Sequence, residues 1–329
     1  MRALVLALLL SACMQSSAIT VPEQWRALQI TATPIDLGVE QVGRLRFRGG
    51  LVLTSEDAEL GGLSGIEVLD GNRVLILNDD AEWFEAQLVL DESGTLVGFT
   101  DLRYALALNE RGDWFLNEDT GDSEGLTQLL DGRFAASFEG TQSIRIFDMN
   151  RDGPFGPSGF GPPLAGTEGL PANAGLEAIA TLSDGSLLVG AEGGERAPTP
   201  LWRVPLDATT PAEPLIGFPL EFGYSLTGLD RMPGGGIVAL QRFYAPVIGA
   251  RARISYFPES ALNARGETLP EVEELGVIAP PIPVDNFEGI ATARMPDGTT
   301  RIYIVSDDNY NSRQRTLIYA FDVVSEAPR

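Results

Sequence analysis

The chain has 329 residues, with 46 acidic and 23 basic residues, a formal net charge of −23 and no histidine. It also has no lysine, so every basic residue is an arginine. A Ser-His-Asp triad, a His-ligated metal, a Schiff-base lysine and a P-loop lysine are therefore excluded. The acidity also disfavours nucleic acid and anionic membranes as partners, because no basic stripe neutralises phosphates.

The N-terminus predicts a bacterial lipoprotein. Met1-Arg2 and an apolar run over Ala3–Leu10 are typical of a short secretion signal, which residues 1–12 would form. Leu10-Ser11-Ala12-Cys13 resembles a lipobox, in which the Cys becomes the lipidated first residue of the mature chain. Cys13 is the only cysteine, so no intrachain disulfide can form. We expect Cys13 to carry the lipid and to be the only link to the membrane.

The expected location is the periplasmic face of a Gram-negative outer membrane. Met14 follows the Cys and, by resemblance to known lipoproteins, favours the outer membrane over the inner one. The alternative is a protein that is secreted in another way.

A short phrase with a Gly or Ala beside a polar residue recurs five times further along the chain. The equivalent polar positions are Ser64, Glu124, Glu177, Thr227 and Glu288, at spacings of 60, 53, 50 and 61 residues. Each phrase leads into a Gly-containing turn and then an apolar run of strand length, such as Val74–Leu77 or Ile302–Val305. Such a period indicates a repeat architecture.

The repeats predict an all-β fold, a β-propeller of six blades with four antiparallel strands each. A lead-in over residues 13–42 would precede a single propeller domain over residues 43–325. The chain without its first twelve residues holds roughly six units of the observed period, although only five phrases are visible. The sixth blade is expected either between residues 88 and 116 or from strands shared by the two chain ends.

The repeated carboxylates predict a metal site. In a propeller, equivalent positions of the innermost strands gather at one mouth, which would bring Glu124, Glu177 and Glu288 together. A second acidic set lies at strand ends: Asp79, Asp80, Glu139, Glu192, Asp307 and Asp308. Crowded carboxylates either take up protons or bind a cation, and Ca²⁺ suits an all-oxygen ligand set. The predicted metal ligands are Asp79, Asp80, Glu124, Glu177, Glu288, Asp307 and Asp308.

An alternative is that each of these carboxylates caps backbone N–H groups or pairs with an arginine and performs no chemistry.

Four segments resemble the phytase-like domain family. They are Gly61-Gly62-Leu63-Ser64-Gly65, Asn173-Ala174-Gly175-Leu176-Glu177-Ala178-Ile179-Ala180, Asp285-Asn286-Phe287-Glu288-Gly289-Ile290 and Ser306-Asp307-Asp308-Asn309-Tyr310 with Gln314-Arg315-Thr316-Leu317. The resemblance implies a secreted or periplasmic propeller, by analogy with the calcium-dependent β-propeller phytases. This chain differs at Thr227, where other repeats carry Glu or Ser, and in having no lysine to hold phosphates, so tight binding of a hexakisphosphate is not expected.

The leading functional prediction is a calcium-dependent hydrolase of small phosphate monoesters or carboxylic esters. A metal-activated water would attack the ester, with Glu177 or Glu288 as general base. Arg242, Arg313 and Arg315 would clamp substrate oxygens through their guanidinium groups. The alternative is a non-catalytic propeller lipoprotein that binds a protein or glycan partner. We expect a monomer in either case.

Overall fold

β-Strands form most of this computed structural model, which describes residues 25–115, 118–171, 174–193 and 198–324. The predicted signal segment and Cys13 lie outside these residues. Two helices of four residues each occur in the described ranges, α1 (Glu118–Gly121) and α2 (Met149–Asp152). Short 3-10 turns cover Asp70–Asn72, Gly153–Phe155, Thr167–Gly169 and Glu259–Asn263. None of these helices is long and apolar enough to cross a membrane.

The strands follow one another with few interruptions. In chain order they are β1 (Arg26–Ala27), β2 (Thr31–Pro34), β3 (Gln41–Val42), β4 (Leu45–Thr54), β5 (Leu63–Val68), β6 (Arg73–Asn78), β7 (Glu82–Leu90), β8 (Leu96–Leu106), β9 (Ser123–Gln128), β10 (Phe134–Phe138), β11 (Ser143–Phe147), β12 (Gly159–Phe160), β13 (Leu176–Thr181), β14 (Leu187–Ala191), β15 (Thr199–Val204), β16 (Ile216–Phe218), β17 (Tyr224–Arg231), β18 (Ile237–Ala245), β19 (Gly249–Phe257), β20 (Glu273–Ile278), β21 (Asn286–Arg294), β22 (Thr300–Asp307) and β23 (Thr316–Val323).

These strands form five antiparallel sheets, the blades of a β-propeller. From the inside outward, the strand orders are β5-β6-β7-β8-β1, β9-β10-β11-β12, β13-β14-β15-β16, β17-β18-β19-β20 and β21-β22-β23-β4-β2, and β3 also pairs with β4. The innermost strands β5, β9, β13, β17 and β21 contact one another in that order, and β21 contacts β5. The ring is therefore closed, and the predicted all-β propeller is confirmed.

The predicted number of six blades is wrong. Residues 88–116 hold part of β7 and the long outer strand β8, which extend the first blade instead of forming a new one. The two chain ends do meet, but they complete the fifth blade, where β4 pairs with β23. The lead-in residues also supply the short strands β1, β2 and β3 at the outer edges of existing sheets. The prediction of six blades came from dividing the chain length by the repeat period, and this division treats the residues of the outer strands as a separate blade.

The apolar core is divided among the spaces between neighbouring blades. Five clusters of buried side chains occur, one for each of the five blade-to-blade contacts. The cluster between the fifth and first blades, for example, contains Leu51 and Tyr303 together with Ile66 and Phe84, all buried. The apolar runs that predicted strands are buried on both faces because each blade packs against two others.

The repeated phrase lies at the propeller axis. A β-bulge interrupts the pairing between the first and second strands of every blade at this phrase. The neighbouring strands approach so closely that a Cβ on Gly289 would lie 2.3 Å from the carbonyl oxygen of Ser64. A Cβ on Gly125 would lie 2.5 Å from the carbonyl oxygen of Glu177. The bulge turns the adjacent side chain towards the end of the axis, and a cavity of only about 10 Å³ remains among the innermost strands.

Candidate functional site

One mouth of the propeller holds a cavity of about 680 Å³ that is lined mainly by carboxylates. The acidic residues are Asp79, Asp122, Glu124, Glu139, Glu168, Glu177, Glu192, Glu288 and Asp307. Arg242 is the one basic residue in the described lining. We call this cavity the acidic mouth.

Two structural positions supply most of these carboxylates. Glu124, Glu177 and Glu288 occupy the bulge position of their innermost strands, as predicted from the repeat. Asp79, Glu139, Glu192 and Asp307 lie at the ends of the second strands β6, β10, β14 and β22. In the fourth blade the corresponding strand continues through Gln241 and Arg242, so this blade contributes the arginine instead of an acid.

Five carboxylates in the acidic mouth form two trios that share one member. The first trio contains Asp122, Glu124 and Glu139, and the second contains Glu139, Glu177 and Glu192. Within each trio, one carboxylate oxygen from every residue lies within 4.8 Å of the others. All except Asp122 are buried. Each trio could hold a metal ion, and the Glu139 carboxylate is close enough to both to contribute to either.

The electrostatics of the mouth favour neutralisation of these groups. Burial raises the pKa of Glu124 well above its usual range, and the nearby Glu177 and Glu288 carboxylates raise it further. Burial and the Glu192 carboxylate likewise raise the pKa of Glu177. Burial is also the main cause that raises the pKa of Glu139 to about 7 and that of Glu288 to about 8. At neutral pH these residues therefore either retain protons or require a cation.

Two oxygen atoms around the acidic mouth have no hydrogen-bond partner within the described ranges. They are Oδ1 of Asp79 and Oε1 of Gln142, and both are buried from solvent. Burial, with the Asp307 and Asp80 charges next in importance, raises the pKa of Asp79 to about 8. A buried acceptor without a donor is destabilising, and a cation satisfies it. The donor set, which has carboxylate and amide oxygens and neither nitrogen nor sulfur ligands, therefore fits a hard cation.

Gly175 allows the second and third blades to lie close together at the mouth. Its backbone N–H donates a 2.7 Å hydrogen bond to Oε1 of Glu139. A Cβ at this position would lie 2.2 Å from Nε2 of Gln142 and 2.6 Å from Cγ of Glu139. A side chain here would displace both residues, so the glycine allows the shared carboxylate to approach its neighbours.

Arg242 joins three blades inside the mouth. Its Nη1 donates to Oε1 of Glu288 at 2.6 Å and to Oδ1 of Asn286 at 2.8 Å, and its Nη2 donates to Oε1 of Glu192 at 2.8 Å. Nδ2 of Asn286 donates in turn to Glu288 and to Asp307. By contrast, the carboxylates of Glu124 and Glu177 accept no hydrogen bond among the described residues and are free to bind a cation or a proton.

Two predicted metal ligands lie outside the lining of the mouth. Asp80 is exposed in the turn that follows Asp79. Asp308 accepts hydrogen bonds from Thr316 Oγ1 at 2.8 Å and from the backbone of Tyr310. In each Asp-Asp pair the first residue lines the cavity and the second does not, because successive side chains at a strand end point to opposite sides.

The three predicted substrate arginines are not equivalent. Arg313 and Arg315 line a separate neighbouring cavity of about 740 Å³, which Arg242 also borders. Arg315 pairs with Asp285, at 3.2 Å between Nε and Oδ2, whereas the guanidinium of Arg313 has no ion pair in the described part of the chain. The structure thus places Arg242 in the acidic mouth and Arg313 and Arg315 in the neighbouring cavity.

Asp122, Glu139, Gln142 and Glu192 are among the mouth residues that the predicted ligand set does not include. Glu139 and Glu192 belong to the acidic set at strand ends, and both line the mouth. Asp122 stands two residues before Glu124, so the alternation along the strand start could have identified it. Gln142 has a left-handed backbone, with φ of +47°, in a turn that no motif in the sequence indicates.

Several solved propellers are similar to this chain at low sequence identity. An aldose sugar dehydrogenase from Streptomyces coelicolor, in its PQQ-bound form, is 12% identical over 92% of this chain and 99% of that chain, with a TM-score of 0.43. A gluconolactonase from Xanthomonas campestris is 13% identical over 90% and 99%, with a TM-score of 0.45. No curated protein matches the chain. A family model described as phytase-like, with the esterase-like activity of phytase, matches residues 58–310, and the chain belongs to this family.

Proposed function

We propose that the protein is a calcium-dependent hydrolase of phosphate monoesters or other small esters. The observation that carries this proposal is the pair of carboxylate trios that share Glu139 at the end of the axis. One arginine among nine carboxylates leaves the lining strongly negative. Such a surface repels a phosphate or an ester oxygen unless cations intervene, so the mouth requires a metal before it can bind this class of substrate.

Calcium is the cation that best matches the ligands. The trios combine with the amide oxygen of Gln142 to give an oxygen-rich, irregular set, which Ca²⁺ accepts and the more strictly octahedral Mg²⁺ does not favour. Ca²⁺ bound here would polarise a substrate oxygen and lower the pKa of a nearby water. Asp122, Glu124, Glu139 and Glu192 are the residues that we propose as ligands, and Asp79 lines the same mouth.

Glu177 is the better placed of the two proposed bases. Its side chain is 4% exposed, and its carboxylate accepts no hydrogen bond within the described residues. Burial keeps its pKa high, so the carboxylate has the proton affinity that a base needs when a neighbouring cation has partly ionised the cluster. Glu288 is already held by Arg242 and Asn286 and instead orients the guanidinium towards the mouth.

Turnover of two chromogenic substrates tests this proposal. A phosphate monoester and an acetate ester would be assayed with calcium, after chelation and after readdition of calcium, and the metal content of the purified protein would be measured. We expect turnover of at least one substrate that chelation removes and calcium restores. Absence of turnover of both by a folded, calcium-loaded protein would overturn the hydrolase proposal and favour the non-catalytic propeller that binds a protein or glycan.

We further propose that the protein acts as a monomeric lipoprotein at the periplasmic face of the outer membrane. The support for this is the sequence Leu10-Ser11-Ala12-Cys13 after a short apolar run, at positions outside the described ranges. Mass spectrometry of the mature N-terminus should show an acylated Cys13. Cys13→Ser should move the protein from the membrane fraction to the periplasmic or secreted fraction, and unchanged membrane association would contradict the anchor.

A further inference from the structure

A second cavity opens beside the acidic mouth and has a different chemical character. It has a volume of about 740 Å³, and Arg242 and Asn309 border both cavities. One wall comes from the hairpin of β18 and β19, and the other comes from the loop that joins β22 to β23. We call this second cavity the arginine cleft. A ligand that reaches from one cavity to the other would pass Arg242 and Asn309.

The arginine cleft concentrates positive charge in a very acidic protein. Its lining includes three arginines and one carboxylate, Asp285. Arg242 is turned towards Glu192 and Glu288 in the mouth, and Arg315 is held by Asp285 and the carbonyl oxygen of Val284. Arg313 is exposed, and its guanidinium has no ion-pair partner in the described part of the chain. Arg313 is therefore available to bind an anionic group on a ligand.

The remaining walls of the cleft are partly apolar. Tyr244 lies on β18, where it pairs with Ala250 and shares a face with Arg242, and Val284 completes this side, whereas the Phe243 side chain points to the opposite face. The Phe243 ring packs against Tyr224, with the ring centroids 5.4 Å apart, which fixes its orientation. Tyr244 is 72% exposed and leaves an aromatic surface uncovered beside the cleft. Aromatic surfaces of this kind favour an aryl group or another flat apolar group.

The loop opposite these aromatic residues is held in place by local hydrogen bonds. Thr316 Oγ1 donates to Asp308, and the backbone N–H groups of Asn311 and Gln314 donate to the carbonyl oxygens of Asp308 and Asn311. The backbone N–H of Arg313 donates to Oδ1 of Asn311 at 3.1 Å. Both walls are thus formed before any ligand binds, so little ordering opposes binding in the cleft.

We propose that the arginine cleft binds the distal end of the substrate, an aryl or similarly flat group that carries an anionic substituent, while the reacting ester lies in the acidic mouth. This inference rests on the proposed function, because it assigns the two cavities to two ends of one substrate. Arg313 would bind the anionic substituent, and the exposed ring of Tyr244 would pack against the flat group. The inference narrows the substrate class to esters that carry an anionic group away from the reacting ester bond.

A matched pair of ligands tests this assignment. Phenylphosphonate and 4-carboxyphenylphosphonate differ only in the distal carboxylate, and their binding to the calcium-loaded protein can be measured by calorimetry. We expect the carboxylate to lower Kd by a factor on the order of ten, the effect of one charge-assisted hydrogen bond. Arg313→Gln should remove this difference and leave the affinity for phenylphosphonate unchanged. Arg265→Gln, which changes an exposed arginine outside both cavities, should preserve the difference.

A kinetic comparison shows which of the two proposals is wrong, the binding assignment of the arginine cleft or the hydrolase activity. Phenyl acetate and 4-carboxyphenyl acetate should show the same preference in KM, with similar kcat, if the protein cleaves esters. Preferential binding of the carboxylated phosphonate without any turnover would reject the hydrolase and retain the cleft. Turnover without any preference, or a preference that survives in Arg313→Gln, would overturn the cleft assignment. Failure of both phosphonates to bind, with equal KM for the two acetates, would also overturn it.

Discussion

Nη1 of Arg242 lies 2.6 Å from Oε1 of Glu288, although the two residues belong to different blades. Nη2 of the same guanidinium lies 2.8 Å from Oε1 of Glu192 in a third blade. Arg242 is the one cation in the described lining of the acidic mouth, and two carboxylates share it. Burial acts to lower the pKa of this arginine, but the charges of Glu288, Glu177 and Glu192 together outweigh it and raise the pKa. The guanidinium therefore stabilises the mouth before any metal binds.

Replacing Arg242 by Gln should destabilise the metal-free protein by about 2 kcal/mol at pH 8. Removing one partner leaves buried carboxylates without a counter-charge, and the figure is reduced because the arginine side chain is 30% exposed. The loss should be smaller at pH 5, where Glu288 is protonated. Chemical unfolding at the two pH values measures both effects. Arg133→Gln is the control, since Arg133 is more exposed and pairs with the largely exposed Asp131, so its loss should cost less than about 1 kcal/mol.

The metal-free protein should lose stability as the pH rises from about 5 to about 8. Glu139, Asp79 and Glu288 have pKa values of about 7, 8 and 8 in the fold, above the ordinary values of 4.5 for Glu and 3.8 for Asp. Protonated carboxyls stabilise the fold below this window, and unfolding releases their protons within it. Each group contributes at most about 1.4 kcal/mol per pH unit.

Thermal unfolding with a chelator, measured across this pH range, checks the sign of this dependence. Millimolar calcium should flatten the dependence because the cation replaces the protons. A stability that rises towards pH 8 in the chelated protein would contradict the electrostatic description of the mouth.

Glu177→Gln should reduce turnover by roughly 10² to 10⁴-fold, the usual contribution of a general base. The same change removes one proton-binding group from a crowded cluster, so it should reduce the loss of stability of the chelated protein between pH 5 and pH 8 and weaken stabilisation by calcium. Glu288→Gln should reduce turnover less, because its carboxylate serves to hold Arg242. Steady-state rates and calcium-dependent melting curves of both variants show which of the two carboxylates contributes more to turnover. An unchanged rate in Glu177→Gln excludes this residue as the base.

Gly289→Ala should destabilise the propeller by about 2 kcal/mol or more, because the added Cβ would lie 2.3 Å from the Ser64 carbonyl oxygen. The backbone of the first blade cannot move away without opening the axis. Gly234→Ala is the matched control, since no atom lies within 4 Å of the added Cβ there. Denaturant unfolding should place the control within about 0.5 kcal/mol of the parent protein. Equal effects of the two substitutions would contradict tight packing at the axis.

The repeated phrase predicted the fold class correctly because it marks the small residues at which neighbouring blades pack together. Glycine at positions 65, 125, 228 and 289 and alanine at 178 permit neighbouring blades to touch at the axis. The number of blades was overestimated because sequence length does not distinguish a new blade from extra outer strands. β8 has 11 residues and β4 has 10, and both extend blades that the repeats already mark.

The sequence also predicted that Glu124, Glu177 and Glu288 converge, because circular symmetry brings equivalent positions together. Circular symmetry does not predict the positions of residues that lie in irregular segments of the backbone. Gln142 lies in a turn with positive φ, and Asp122 precedes the strand that defines the repeat. Sequence spacing likewise could not separate Arg242, which faces the carboxylates, from Arg313, which faces a different cavity.

The pairing of β4 with β23 has a consequence for how the protein is made. Residues 45–54 leave the ribosome early, yet one of their edges finds its partner only when residues 316–323 appear. Until then the nascent chain carries an unpaired, largely apolar edge of the kind that promotes aggregation. The ring of blades therefore closes only after residues 316–323 have been made, and a chain that stops before residue 316 would lack the strand that pairs with β4.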